Sequence, residues 1–181
     1  MVRDPFVPGT LITPQRMTAL LELVQLTCPL EGDMAEVGVF RGGTAYQICH
    51  HCAKTLHLFD TWAGIPEDCE KGGYYGKGTL AADLDQCIDH LDGLNVVFHI
   101  GVFPESADIV KRRQFSFVHS DTDTYQGARA TIEFFAPRMV EGGVIVFDDF
   151  DDPHFPGVTA AVEEVYVPSV TVKGQQAYVQ F

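Results

Sequence analysis

Four aspartates stand among five consecutive positions, Asp148, Asp149, Asp151 and Asp152, directly after the apolar run VIVF at 144–147. Two carboxylates about 5 Å apart repel by roughly 3 kcal/mol at an effective dielectric of 20, so a chain that gathers them leaves them in water or supplies a cation. A second acidic stretch, HSDTDTY at 119–125, carries Asp121 and Asp123. If Asp121 ends one strand while Asp148 and Asp149 end its neighbour, three carboxylates meet within about 5 to 8 Å. Hard oxygen ligands, with room left for water and substrate oxygens, suit Mg²⁺ or a similar divalent ion. The competing explanation is a set of solvated strand-end acids and helix N-caps. For Asp151 and Asp152, in the loop before Pro153, that explanation is preferred.

A second chemical signal is EVGVFRGGT at 36–44, a glycine-rich turn between an apolar run and a helical one. Gly38 permits close backbone approach of a ligand, and Gly42 and Gly43 start the helix without side-chain obstruction. A pyrophosphate fingerprint needs glycines at 38, 40 and 43, and position 40 is Phe. Asp60, 22 residues beyond Gly38, stands where a ribose diol is commonly held. CHHC at 49–52 has no second ligand pair at zinc spacing, so small residues on a packing face explain it better. His57, His90 and His99 are scattered and expected to be structural. His119 and His154 flank the acids and are candidates for touching substrate.

Alternating elements must position these groups. Thr13-Pro14 reads as an N-cap and first helical residue, and Met17, Leu20, Leu21 and Val24 follow at helical spacing, placing an N-terminal helical segment within residues 10–30. Strands are expected at 34–39, 54–60, 95–100, 115–121 and 142–149, and helices at 44–53, 80–91, 125–138 and 156–166. SVTVKG and QAYVQF read as a terminal hairpin. Residues 61–79, with five glycines and a proline, read as a long loop that covers or shapes a site. Nearly apolar strands alternating with helices predict one α/β domain over 1–181, with a mostly parallel sheet covered on both faces. Ligands of such sheets sit beyond the carboxyl ends of the strands, where Asp60, Asp121, Asp148 and Asp149 all fall.

Composition narrows the partner. With 181 residues, 46% hydrophobic content and 20% charged residues, the chain suits one soluble globular domain. A formal charge of -13 argues against nucleic acid, whose affinity needs clustered Lys and Arg, and for a small molecule. The first residues, MVRDPFVPGTLITP, do not read as a signal peptide, and no apolar run is long enough to span a bilayer. Five cysteines without regular spacing argue against a disulfide framework and for a reducing compartment, so the expected location is the cytoplasm.

EVGVFRGGTA, LHLFDTWAGIPED, GVFPES, FSFVHSDTDTYQGARATIEFFAPRMVEGGVIVFDDF and PGVTAAVEEV, in that order, resemble the macrocin O-methyltransferase-like enzymes over roughly residues 33 to 165. These are S-adenosylmethionine-dependent class I methyltransferases that act on sugar hydroxyls with Mg²⁺. A more distant likeness to catechol O-methyltransferase lies in the same acids followed by Pro-Gly. The resemblance implies a Rossmann-like, seven-stranded sheet with an antiparallel C-terminal hairpin. It assigns Glu36, Val37, Gly38 and Thr44 to the methionine part of the cofactor and Asp60, Thr61 and Trp62 to its ribose and adenine surroundings. Gly101 to Phe103 lie near the adenine. It assigns Asp121, Asp148 and Asp149 to the metal, with Asp121 also shared with cofactor and catalysis, and Asp123 to general base. The longer sugar-modifying members have more sequence on the N-terminal side, a departure that bears on acceptor type and lid.

The expected reaction is displacement of the sulfonium methyl by an acceptor hydroxyl of a sugar or vicinal diol, helped by metal polarisation and by proton transfer to Asp123. A nicotinamide-dependent oxidoreductase and a non-catalytic cofactor-binding subunit are the alternatives, and a homo-oligomer stays open.

Overall fold

The computed structural model describes residues 9–66, 74–166, 169–173 and 176–181. Residues 67–73 of the expected covering loop, the tip of the expected hairpin at 174–175 and the proline-bearing residues 1–8 lie outside that set. Helix α1 (Pro14–Thr27) starts where the sequence places it, with Thr13 Oγ1 accepting from the Arg16 backbone amide and Pro14 at the first helical position. Then follow β1 (Asp33–Val37), α2 (Gly43–His51), β2 (Leu56–Asp60), α3 (Leu84–His90), β3 (Val96–Ile100), a 3-10 turn at Glu105–Val110 and β4 (Phe115–Ser120). The chain continues through α4 (Tyr125–Phe135), β5 (Met139–Phe147), α5 (Pro156–Tyr166), β6 (Thr171–Lys173) and β7 (Gln176–Gln180). The helix expected at 80–91 is shorter because Leu80 has a positive φ and Asp83 provides the cap. The helix expected over 125–138 tightens into a 3-10 turn at Ala136–Arg138, which contains Pro137.

One seven-stranded sheet runs β3-β2-β1-β4-β5-β7-β6, with the first five parallel and β7 antiparallel to β5 and β6. The chain builds outward from β1 to β3, then returns to place β4 on the other side of β1, so the crevice opens between the carboxyl ends of β1 and β4. Strand period decides the two cores. Met34, Leu58, Phe117, Val144 and Val146 face α1, α2 and α3, while Phe59, Val118, Ile145 and Phe147 face α4 and α5. Each such side chain, fully removed from water, contributes about 1.5–3 kcal/mol. The end of α1 is held by Lys54, whose Nζ donates to the Thr27 and Leu30 carbonyls and to Ser116 Oγ at 2.8 Å.

The expectation drawn from the cysteines is corrected here. Cys28 and Cys52 form a disulfide across a Cα separation of 5.8 Å, joining the ends of α1 and α2, so the cysteine count no longer argues for a reducing compartment. The odd number and uneven spacing hid a pair that only the packing of two helix ends brings together. No helix among the described residues is long and apolar enough to cross a membrane.

His57 and His99 are structural, as their scatter suggested, and they form a buried chain. Asp33 Oδ2 lies 3.2 Å from His57 Nε2 and takes a 2.9 Å hydrogen bond from Arg113, and His57 Nδ1 lies 2.9 Å from His99 Nε2. Burial, then the neighbouring His57, pushes the His99 pKa down to about 4; burial also lowers that of His57, partly offset by Asp33. A base with a depressed folded pKa stabilises fully above its unfolded value near 6.5, and that stability is lost as pH falls toward 4. The stability difference between the wild type and His99→Gln therefore shrinks by about 2 kcal/mol between pH 7 and 4.5. Urea unfolding of both proteins at the two pH values measures it, and the difference cancels the opposing titration of the acidic site.

Candidate functional site

The strand ends surround a cavity of about 490 Å³ at the switch point between β1 and β4. Its first wall is the turn after β1. Gly38 has φ +87°, and a Cβ there would lie 1.8 Å from the Asp121 carbonyl oxygen, so only glycine lets the ends of β1 and β4 approach. Asp121 N donates to Val37 O at 2.8 Å, and Gly38 N to Phe59 O at 2.9 Å, tying three strand ends together. Asp60 then fixes the turn: Oδ2 accepts from the amides of Val39 at 2.7 Å and Phe40 at 2.9 Å, and Oδ1 from Trp62 at 2.8 Å. Those bonds hold Phe40 and Trp62 at positive φ, a conformation side chains other than glycine rarely adopt.

Of the residues expected at the cofactor, Val37, Gly38, Thr44, Asp60, Thr61, Gly101, Phe103 and Asp121 line the cavity. Glu36 and Trp62 do not, and this corrects the expectation for both. Glu36 alternates with Val37 and so points to the opposite face, where it is buried and meets His119 Nδ1 at 3.0 Å. Burial raises the Glu36 pKa, and the His119 contact only partly offsets it. His119, a candidate for touching substrate, is thereby consumed behind the wall. Trp62 packs into the core on the α1 side and donates from Nε1 to Phe40 O at 3.1 Å. His154 is exposed and pairs with Asp152 at 2.8 Å.

The acids gather at the ends of β4 and β5, beginning directly beside the Gly38 turn. Asp121, Asp123 and Asp149 each bring an oxygen within 4.8 Å of the others. Asp148, expected as a ligand, lies beside them on the cavity wall but outside the convergent set, with both oxygens engaged: Oδ2 pairs with Arg16 Nη1 at 2.8 Å, and Oδ1 accepts from Gln176 Nε2 at 2.6 Å. The reason is the strand. Asp148 still extends the ladder, its amide donating to Ser120 O at 2.9 Å, whereas Asp149 turns to φ +59°, which breaks the alternation: both reach Arg16 Nη1, and Asp149 brings an oxygen into the convergent set. Asp123, expected as base, also has positive φ and joins the convergent set in Asp148's place.

Crowding is visible in proton affinity. Burial, then Asp148 and Asp149, holds Asp121 well above the usual carboxylate range. Burial, then Asp149 and Asp148, pushes Asp123 up to about 8, with a hydrogen bond between Asp123 and Asp149 contributing. Asp149 rises to about 6 through burial and Asp148, although Arg16 opposes this. Three carboxylates at this spacing repel pairwise by about 3 kcal/mol, and a divalent cation among them would reverse the sign of that energy. The donor set therefore fits a hard divalent ion, with oxygens converging and one face open to the cavity.

Several wall residues were not singled out in the sequence, although Tyr75 falls in the loop expected to shape a site. Gly9–Ile12 cross the cavity ahead of α1, held by Thr10 Oγ1 at 2.8 Å from Thr44 Oγ1 and by Gly43 N donating to Gly9 O at 3.3 Å. Tyr75 and Phe155 line the mouth with ring centroids 5.7 Å apart, and Tyr74 N donates to His154 O at 2.9 Å. Arg16 had one legible clue. It sits in the first turn of a helix that has no acid there, the end where the helix dipole disfavours a cation.

Comparison with known proteins agrees with this architecture. Residues 3–167 match the family described as macrocin-O-methyltransferase (TylF). A curated relative, 8-demethyl-8-(2,3-dimethoxy-alpha-L-rhamnosyl)-tetracenomycin-C 4'-O-methyltransferase of Streptomyces olivaceus, is 26% identical in an alignment 167 residues long that covers 81% of this chain. The chain spans 64% of that relative's length. Among solved structures, the calicheamicin methyltransferase CalS11 superposes with a TM-score of 0.78 at 20% identity, covering 93% of this chain and 80% of its own. The O-methyltransferase NovP gives 0.76 at 23% identity, covering 95% and 81%. At these identities the structures share the fold.

Proposed function

The chain belongs to the macrocin-O-methyltransferase family, and from that premise we propose that it transfers a methyl group from S-adenosylmethionine to a hydroxyl of a small sugar-like acceptor. We further propose that a divalent ion, Mg²⁺ or one like it, assists on Asp121, Asp123 and Asp149. The observation that carries this reading is one cavity lined both by the Gly38 turn and by three convergent carboxylates, Asp121 adjoining that turn. The curated relative acts, by its name, on a rhamnosyl group, which supports a sugar acceptor. No observation favours the nicotinamide alternative.

When bound, S-adenosylmethionine supplies a methyl group on a positively charged sulfur, and the divalent ion supplies charge that makes an acceptor hydroxyl easier to deprotonate. The chain's own residues do the rest. Gly38, Thr44 and the Asp60-locked turn shape the donor end, and Gly101, whose amide donates to Asp60 O at 2.9 Å, continues the wall with Phe103. Asp123, on the cavity wall at the entry to α4, accepts the proton of the attacking hydroxyl as the oxygen–carbon bond forms and the carbon–sulfur bond breaks. The Thr124 side chain caps α4 by accepting from Gly127 N at 3.0 Å, which fixes the backbone next to Asp123.

Tyr75 and Phe155 offer aromatic faces to the C–H face of a sugar or to an apolar group attached to it. Tyr75→Ala is expected to raise the acceptor KM by about tenfold, with kcat changed by less than about threefold, because the ring supplies binding away from the reacting atoms. Steady-state kinetics with a methylated product as readout checks it. The reading as a whole is tested by following labelled methyl from S-adenosylmethionine onto a panel of glycosides and catechols, with Mg²⁺ and with EDTA. Transfer to a sugar hydroxyl that EDTA abolishes is the expected result. Donor binding with no transfer to any acceptor would leave only a binding protein, and transfer indifferent to EDTA would remove the metal.

A further inference from the structure

We infer that Arg16 is a positioning residue that acts as a built-in counter-cation of the acidic site: it holds Asp148 out of the convergent set and competes with a divalent ion for Asp149. The inference rests on the reading of Asp121, Asp123 and Asp149 as a divalent-cation site.

Its geometry is that of a cation placed among acids. Arg16 Nη1 lies 2.8 Å from Asp148 Oδ2 and 2.7 Å from Asp149 Oδ1, and Nη2 lies 3.4 Å from Asp152 Oδ2. The side chain is 13% exposed, and its Nε is buried without a partner, so the guanidinium meets protein almost entirely through these acids. Among the described residues lining the cavity, Arg16 is the sole Lys or Arg. Asp148 is spoken for on both oxygens, by Arg16 and by Gln176. Asp149 is different: it shares one oxygen with Arg16 while belonging to the set that converges within 4.8 Å.

Two consequences follow from charge. Five acids, Asp121, Asp123, Asp148, Asp149 and Asp152, face one fixed positive charge, which leaves enough negative charge for one divalent ion beside it. A second ion has no vacant pair of oxygens, because the guanidinium already bridges Asp148 and Asp149. Arg16 therefore weakens the ion it sits next to, by repulsion and by engaging Asp149. It also keeps the metal-free protein folded, because removing one partner of a buried charge pair leaves the others uncompensated. Helix α1 is thereby fastened to the end of β5, and the residues ahead of it to Gly43 and Thr44, so the segment that crosses the cavity is held at both ends.

The test uses Mn²⁺ as probe on the full chain, with binding read by electron paramagnetic resonance and stability by thermal unfolding. Arg16→Gln is expected to bind Mn²⁺ about tenfold or more tightly than wild type, to melt lower in EDTA, and to regain that stability with Mn²⁺. Arg16→Lys, which keeps the charge but loses the fork, is expected to stay within about threefold of wild type. Should Arg16→Gln fail to fold in EDTA, the double variant Arg16→Gln/Asp148→Asn, which removes one charge of each sign, is measured for the same tightening. Mn²⁺ affinity that is unchanged or weaker without Arg16 overturns the inference while leaving the metal reading standing. Binding by Arg16→Gln but not by wild type supports the inference and removes the metal from the native reaction. No binding by either protein overturns both.

Discussion

Asp123→Asn is expected to lower kcat by about 10³-fold while S-adenosylmethionine affinity stays within about threefold. The substitution keeps shape and removes the carboxylate that would take the proton and help hold the ion. Asparagine tolerates the left-handed backbone that position 123 adopts, φ +61°, so the entry to α4 is not disturbed. It also removes one charge from a set of mutually repelling carboxylates, so the metal-free variant should melt higher than wild type. Loss of turnover together with gain of stability is the signature of an acid kept for chemistry. A purely structural Asp123 would give the opposite, a lower melting temperature and a modest change in rate. Single-turnover kinetics and thermal unfolding in EDTA measure the two halves.

Gly38→Ala is expected to do the most damage of any methyl group added to the described glycines. The added carbon would lie 1.8 Å from the Asp121 carbonyl oxygen, against backbone that is itself fixed by the Asp121 N to Val37 O bond of 2.8 Å. Neither neighbour is a flexible side-chain end, and φ +87° is strained for alanine even with the space cleared. A cost above about 3 kcal/mol is expected from strain and overpacking together. Whatever folds must part the ends of β1 and β4, which moves Asp121 and opens the donor end at once. Calorimetry should find no S-adenosylmethionine binding, and Mn²⁺ affinity should fall with it. Gly78→Ala is the comparison, since it shares a positive φ of +80° but nothing lies within 4 Å of the added carbon.

The sheet could be read from the chain because buried parallel strands are nearly continuous apolar runs, and Asp60, Asp121, Asp148 and Asp149 mark where they end. The glycine turn could be read because close approach of two strand ends admits no other residue. What escaped was direction. Adjacent acids at a strand end face opposite ways unless the backbone turns between them, and nothing local in FDDF announces that Asp149 alone turns. The same period-two rule, applied at EVG, would have sent Glu36 to the core rather than to the cofactor. Arg16 was hidden by distance, because its partners lie 132 and 133 residues away along the chain. Its one clue was a cation at the wrong end of a helix. Gln176 and the Cys28–Cys52 pair escaped for the same reason, since each partner is supplied by packing rather than by spacing.

Crystals grown with S-adenosylhomocysteine and Mn²⁺, recorded at the manganese absorption edge, test the central claim most directly. One anomalous peak in contact with Asp121, Asp123 and Asp149, with the Arg16 guanidinium still on Asp148 and the donor's sulfur facing the ion across the cavity, is the predicted result. Ordered donor product with no anomalous peak among those three carboxylates would contradict it.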